Sequence, residues 1–250
     1  HQELRGTRIE GDLALRAIDE LPLIATLAAR AHGPTHIRDA TELRVKESDR
    51  IARTAEMLKS FGAGLIVWPH GIHVDTENNV WVTDARGHND KGHQVLKFNS
   101  DGKILMRLGK AGIAGNGTDT FNQPSDVLIA PNGDIFVADG HGRGGNNRIV
   151  KLSSEGQFIM AWGKQGTGPG EFQDPHALAM DSKGRLFVGD RNNRRIQIFD
   201  QDGSFIADWY QFGRPSGVFI DGNDLIYVAD SESNSRSNPG YKRGIRIASA

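Results

Sequence analysis

His70 and His176 are the residues whose spacing most directly suggests chemistry. Each follows a proline at the head of a matching string, PHGIHVD from Pro69 and PHALAMD from Pro175. Equivalent positions of a repeat come to equivalent places in a fold, so two imidazoles at one such position can converge on a single metal ion. The same pair also reads as two polar histidines that line a channel and bind water. His73 falls on a strand, and His88 and His93 sit in a polar loop; these three read as surface residues.

The elements that must position the pair form an internal repeat. A proline, a short apolar run, a turn and an aromatic- or Ile-led strand closing on aspartate recur at Pro69–Asp84, Pro124–Asp139, Pro175–Asp190 and Pro215–Asp230. The prolines lie 55, 51 and 40 residues apart, and the aspartates keep the same offsets, so length varies only in outer loops. Within Gln123–Gly163 four strands are expected, at Asp126–Ala130, Asp134–Ala138, Arg148–Leu152 and Gln157–Trp162. Asn132-Gly133 predicts a type I′ hairpin between the first two. Four short antiparallel strands per repeat predict a mainly β fold, a β-propeller. Trp81, Phe136, Phe187 and Tyr227 share one repeat position and are expected in the core. Asp84, Asp139, Asp190 and Asp230 recur as turn caps. The fourth copy stops within its third strand, at Arg243–Ile247, so about four blades of a six-bladed ring are expected. Open edges of such an arc leave completion by another chain as one expectation.

Composition bounds the function. With 30 basic and 31 acidic residues, the formal net charge of −1 argues against a dedicated nucleic-acid or membrane-surface partner. There is no cysteine, hence no disulfide or thiolate metal site. No apolar run approaches the roughly 20 residues of a membrane span. No signal peptide is visible, and the chain opens on His1 as a truncated N-terminus would, so a cytoplasmic setting is the default expectation. A composition break falls near residue 63. Residues 1–63 hold ten Ala, one Phe and neither Trp nor Tyr, while all four Trp and 27 of 31 Gly lie beyond. Two domains are expected, 1–63 and 64–250, the first a small α/β segment. Leu21, Ile24, Leu27, Ala28 and Ala31 recur at helical spacing, Thr35–Arg38 reads as a strand, and Ser48–Phe61 as a second helix.

Two families are resembled. From GDLALRAIDELP to ELRVKESDRI and KSFGA, residues 1–63 resemble a fragment of 5-enolpyruvylshikimate-3-phosphate synthase. That resemblance implies Asp19 and Glu47 as acid/base carboxylates, with Lys46 and Arg50 as contacts to anionic substrates. About one repeat unit of that synthase is present, so turnover by this chain alone is not expected. The blades, with third-strand strings such as NNRIVKL and NRRIQIF, resemble NHL repeats. The pieces WPHGIHVD, FNQPSDV, PGEFQDPHALA and GDRNNRRIQIF resemble peptidyl-α-hydroxyglycine α-amidating lyase, a six-bladed propeller releasing a peptide amide and glyoxylate. That resemblance implies zinc, with His70 and His176 as two of three ligands, and Arg191 as a substrate-side arginine. Ser216 stands where the third histidine is expected, and Gly217 where an acidic group would serve calcium, which weakens the site and argues against calcium. His141 replaces the tyrosine base and is open to a role as base or ligand.

Three readings follow: a lyase-like enzyme with a weakened metal site, a propeller that binds a peptide or small molecule in its channel without chemistry, and a chimera carrying a synthase remnant.

Overall fold

The structure is a computed structural model that describes residues 7–10, 36–37 and 64–250. The chain divides into two units, one of them comprising Gly64–Ser100 and Ile104–Ala250. In the other, β1 (Arg8–Ile9) and β2 (His36–Ile37) pair in parallel, with Arg8 opposite His36. The strand expected at Thr35–Arg38 is therefore present at its centre. The two expected helices, and Asp19, Lys46, Glu47 and Arg50, lie outside the described residues.

The larger unit is a propeller of four consecutive blades, with no helix among the described residues. Blade I comprises β3 (Pro69–Val74), β4 (Val80–Asp84), β5 (Gln94–Phe98) and β6 (Ile104–Leu108). Blade II comprises β7 (Pro124–Ile129), β8 (Ile135–Asp139), β9 (Arg148–Leu152) and β10 (Phe158–Trp162). Blade III comprises β11 (Pro175–Met180), β12 (Leu186–Asp190), β13 (Arg195–Phe199) and β14 (Phe205–Trp209). Blade IV comprises β15 (Pro215–Ile220), β16 (Leu225–Asp230) and β17 (Gly244–Ser249). Each sheet is an antiparallel meander in sequence order, as hairpin-length loops dictate. β3, β7, β11 and β15 lie side by side as the inner strands.

The side-chain period of two along each strand gives every blade two apolar faces. Trp81, Val95 and Leu108 of blade I pack on Val127, Ile135, Val137 and Val150 of blade II. The opposite face of blade II, with Leu128, Phe136 and Ile149, packs on Leu178, Leu186, Val188 and Phe199. Phe187, Ile196 and Ile198 then meet Val218, Ile226 and Val228. Each fully buried Phe or Ile contributes about 1.5–3 kcal/mol, so these seams hold the blades in order. Tyr227 departs from the core expectation. It is half-buried on the far face of blade IV, beside the exposed Phe219, Ile245 and Ile247.

The turn between β7 and β8 also differs from expectation. Gly133 has φ of +90°, but Asn132 does not share the positive φ that a type I′ turn requires. Gly133 N–H donates to Ala130 O at 2.8 Å, and Ala130 N–H to Asp134 O at 2.9 Å. This is a type I turn followed by a left-handed residue, the geometry favoured by Pro131 at its second position. Asn78, Gly184 and Asp224 take the left-handed conformation at the equivalent positions.

Register then places the site. Pro69 pairs with Asp84, Pro124 with Asp139, Pro175 with Asp190 and Pro215 with Asp230. The start of every inner strand therefore lies beside the end of its neighbour, at one end of the channel. Each closing aspartate fixes that corner by accepting backbone N–H groups from the incoming chain: Trp68 and Val67 on Asp84, Asn122 on Asp139, Gln173 on Asp190 and Arg214 on Asp230.

Candidate metal and substrate site

Four repeat positions converge at this channel mouth. The residue before the proline contributes Trp68, Gln123, Asp174 and Arg214; the residue after it contributes His70, Ser125, His176 and Ser216. The two residues following the closing aspartate contribute Ala85-Arg86, Gly140-His141, Arg191-Asn192 and Ser231-Glu232.

His70, His141 and His176 come together here, with one potential ligand nitrogen from each lying within 4.8 Å of the others. Ring centroids are 4.5 Å apart for His70–His141 and His70–His176, and 5.1 Å for His141–His176. Trp68 walls the cluster, 5.3 Å from the His70 ring and 4.9 Å from the His141 ring, and the Arg86 guanidinium covers Trp68 at 4.2 Å. Neighbouring blades orient two of the rings. His70 Nδ1 lies 2.6 Å from Ser125 O, and His176 Nδ1 lies 2.8 Å from Ser216 O. A carbonyl can only accept, so each Nδ1 carries the proton and each Nε2 keeps its lone pair. Ser216 thus does not supply a side-chain ligand; its backbone sets the His176 tautomer.

Burial keeps all three imidazoles neutral. It lowers the His70 pKa against the opposing pull of the Ser125 hydrogen bond. Burial, then the His70 and Arg191 charges against an opposing Asp174, take His141 down to about 4. Burial and Arg191 take His176 down to about 2. Three unprotonated nitrogens facing one volume form a donor set for a cation.

Arg191 stands beside them. Its Nη1 donates to His176 Nε2 at 2.7 Å and reaches Glu232 Oε1 at 3.3 Å. Its Nε and Nη2 both donate to Asp174 Oδ2, at 2.9 and 2.5 Å. Glu232 is bound in turn by Arg214 Nη2 at 2.7 Å, and this bond, with Arg191, holds its pKa low despite burial. One flank of the cluster is therefore lined by two guanidiniums, each ion-paired to a carboxylate.

The sequence reading singled out His70, His176, His141 and Arg191, and the structure brings the four together at this end of the channel. It missed Trp68, Asp174, Arg214 and Glu232. The available signal was their fixed offset from the repeat proline or closing aspartate. His88 is exposed, whereas His73 and His93 are half-buried rather than surface residues. His73 lines a cleft, and His93 Nδ1 accepts from Gln123 N–H at 3.2 Å.

Comparison with known proteins gives matches to two families. The NHL repeat family model matches residues 172–199. The model of EPSP synthase (3-phosphoshikimate 1-carboxyvinyltransferase) matches residues 5–90, so that match runs on through β3 and β4 of blade I. NHL repeat-containing protein 3 of Homo sapiens is 40% identical over 147 residues, covering 56% of this chain and 42% of that protein. Peptidyl-alpha-hydroxyglycine alpha-amidating lyase 1 of Drosophila melanogaster is 36% identical over 188 residues, covering 70% of this chain and 32% of that protein. Kuenenia stuttgartiensis hydrazine synthase shares the fold, with a TM-score of 0.50 at 12% identity over 72% of this chain and 58% of that one. The chain spans less than half the length of these two curated relatives, and its larger unit is an NHL-type propeller similar to amidating lyases.

Proposed function

We propose that the propeller carries a lyase-type site that splits a peptidyl-α-hydroxyglycine into a peptide amide and glyoxylate. The meeting of His70, His141 and His176 beside Arg191, in a chain similar to amidating lyases, carries this reading. The donor set suits zinc: His70, His141 and His176 would hold it as three neutral imidazoles, two of them with Nδ1–H committed to carbonyls. Zinc bound there supplies Lewis acidity that polarises the substrate hydroxyl.

The chain's own residues do the rest. With His176 Nε2 given over to a cation, Arg191 Nη1 is left facing Glu232 and the substrate carboxylate, which it binds as a charge-assisted donor. Trp68 walls one side of the reacting end. Loss of the hydroxyl proton lets the Cα–N bond break: its electron pair goes to nitrogen, which takes up a proton, and the oxygen becomes the aldehyde of glyoxylate. Water at the open mouth carries that proton in and out, because the imidazoles are committed as ligands. The peptide portion runs along the inner strands toward a cleft of about 470 Å³ lined by Ile72, Val74, Leu178 and Phe219.

The test is zinc content together with glyoxylate release from a peptidyl-α-hydroxyglycine. About one zinc per chain with turnover supports the reading. Zinc-free, compact protein without turnover would leave a ligand-binding propeller instead.

A further inference from the structure

His141 does not ride on a strand. It sits in the loop Gly140–Asn147, GHGRGGNN, four of whose eight residues are glycine. Gly140, Gly142 and Gly144 have positive φ, at +151°, +72° and +89°. Fixing each loop residue costs about 1–2 kcal/mol of conformational entropy, so a loop of this composition holds a side chain in place only where it is pinned.

On one side of His141 the pin is backbone: Gly140 and His141 N–H both donate to Gln123 O, at 3.0 and 2.8 Å. On the other side it is Asp174, from blade III. Gly142 N–H donates to Asp174 Oδ1 at 3.0 Å, and Asp174 N–H donates to Asn147 Oδ1 at 2.9 Å, at the far end of the same loop. The other carboxylate oxygen, Oδ2, takes the fork of Arg191, while Arg191 N–H donates to Asp174 O at 3.2 Å. Asp174 is 2% exposed and holds φ of +69°, a left-handed conformation that aspartate tolerates better than most residues. One carboxylate therefore grips the His141 loop with one oxygen and the arginine that bonds His176 with the other.

We propose that Asp174 is the positioning residue of this site: it sets His141 against the other two imidazoles and holds Arg191 beside them. The inference rests on the lyase-type reading for its metal readout. Its structural half, the loop clamp, stands apart from that reading.

The experiment compares wild type, Asp174→Ala and Asp174→Asn by two measurements. Zinc affinity is read by competition with a chromophoric chelator, and amide hydrogen exchange is followed over residues 140–147 in metal-free protein. Asp174→Ala weakens zinc about 10–100-fold, the range found when residues that orient ligands are lost. It also speeds exchange at Gly142 while blade amides stay protected. Asp174→Asn keeps an oxygen for Gly142 N–H but loses the charge facing Arg191, so it restores slow exchange and recovers only part of the affinity. The part of the effect that runs through His141 shows as non-additivity: adding Asp174→Ala to His141→Ala costs less zinc affinity than Asp174→Ala costs in wild type. Unchanged affinity and exchange in Asp174→Ala overturn the proposal, as does a loss of affinity that adds in full to that of His141→Ala. If Asp174→Ala does not fold, Asp174→Asn decides: the Gly142 exchange of wild type with reduced affinity supports the proposal, and wild-type affinity overturns it. If wild type takes up no zinc, the lyase-type reading falls, and exchange at 140–147 alone decides the clamp.

Discussion

Replacing Asp190 with alanine is expected to destabilise the propeller far more than the same change at Asp84, although both close the same corner of a blade. Asp190 is fully buried and accepts from Gln173 N–H at 2.8 Å, Asn193 Nδ2 at 2.8 Å, Arg195 Nε at 2.9 Å and Gln197 Nε2 at 3.1 Å. Arg195, opposite it in register, is itself 2% exposed. Removing the carboxylate breaks the closest ion pair of a buried guanidinium, leaving Arg195 with Asp208 Oδ2 at 3.4 Å as its remaining carboxylate, and costs about 3–5 kcal/mol. Asp84 is equally buried and accepts from Trp68 N–H at 2.6 Å and Val67 N–H at 2.9 Å. The residue opposite it is Gln94, whose Nε2 donates elsewhere, to Gly109 O at 3.0 Å. Its loss leaves two backbone donors unsatisfied and no charge, costing about 1–3 kcal/mol. For a unit of this size each kcal/mol moves Tm by about 2–4 °C, so Asp190→Ala should lower Tm by about 6–20 °C and Asp84→Ala by about 2–12 °C. Thermal scans and urea titrations of both variants read the order directly. Equal losses, or a larger loss at Asp84, would refute the argument that the buried guanidinium sets the cost.

Further expectations follow from the same geometry. His70→Ala and His176→Ala should each sharply lower zinc retention measured by elemental analysis, while His88→Ala, at an exposed position, should leave it unchanged. Gly71→Ala would place a Cβ 2.6 Å from Ser125 O and 2.5 Å from Asp126 Oδ1, pushing β3 off β7 beside His70. Unfolding should show a loss of about 1–3 kcal/mol, with weaker zinc binding. Asp75 is held at a pKa of about 2, because hydrogen bonds from Trp81, Asn79 and Lys97 outweigh its burial. A depressed carboxylate stabilises the fold above its ordinary pKa near 3.8, and that stability is lost as pH falls toward 2. Urea midpoints of Asp75→Asn should therefore fall less steeply between about pH 4 and pH 2 than those of wild type.

Much of the fold was legible because the repeat carries its own register. Prolines and aspartates at common offsets are the paired residues at the mouth of each blade, so knowing one blade places the same positions in all four. The β7–β8 turn type was misread because Asn132-Gly133 was weighed without Pro131, whose fixed φ selects a type I turn. Tyr227 shares its repeat position with three core aromatics, but repeat position does not say whether another sheet covers that face. Half the site was legible in the same way: His70 and His176 are repeat positions, and their convergence follows from symmetry. His141 shares its offset from the closing aspartate with Arg86, Asn192 and Glu232, but its approach to the other two rings was not legible, because the path of its glycine-rich loop is set by Gln123 and Asp174 in distant sequence. Ser216 looked like a lost ligand; its carbonyl is what orients His176.

Zinc-edge X-ray absorption on protein loaded with one equivalent of zinc tests the central claim most directly. The account predicts three imidazole nitrogens at about 2.0–2.1 Å, falling to two in His141→Ala. Protein that binds no zinc, or an imidazole shell unchanged by His141→Ala, would contradict it.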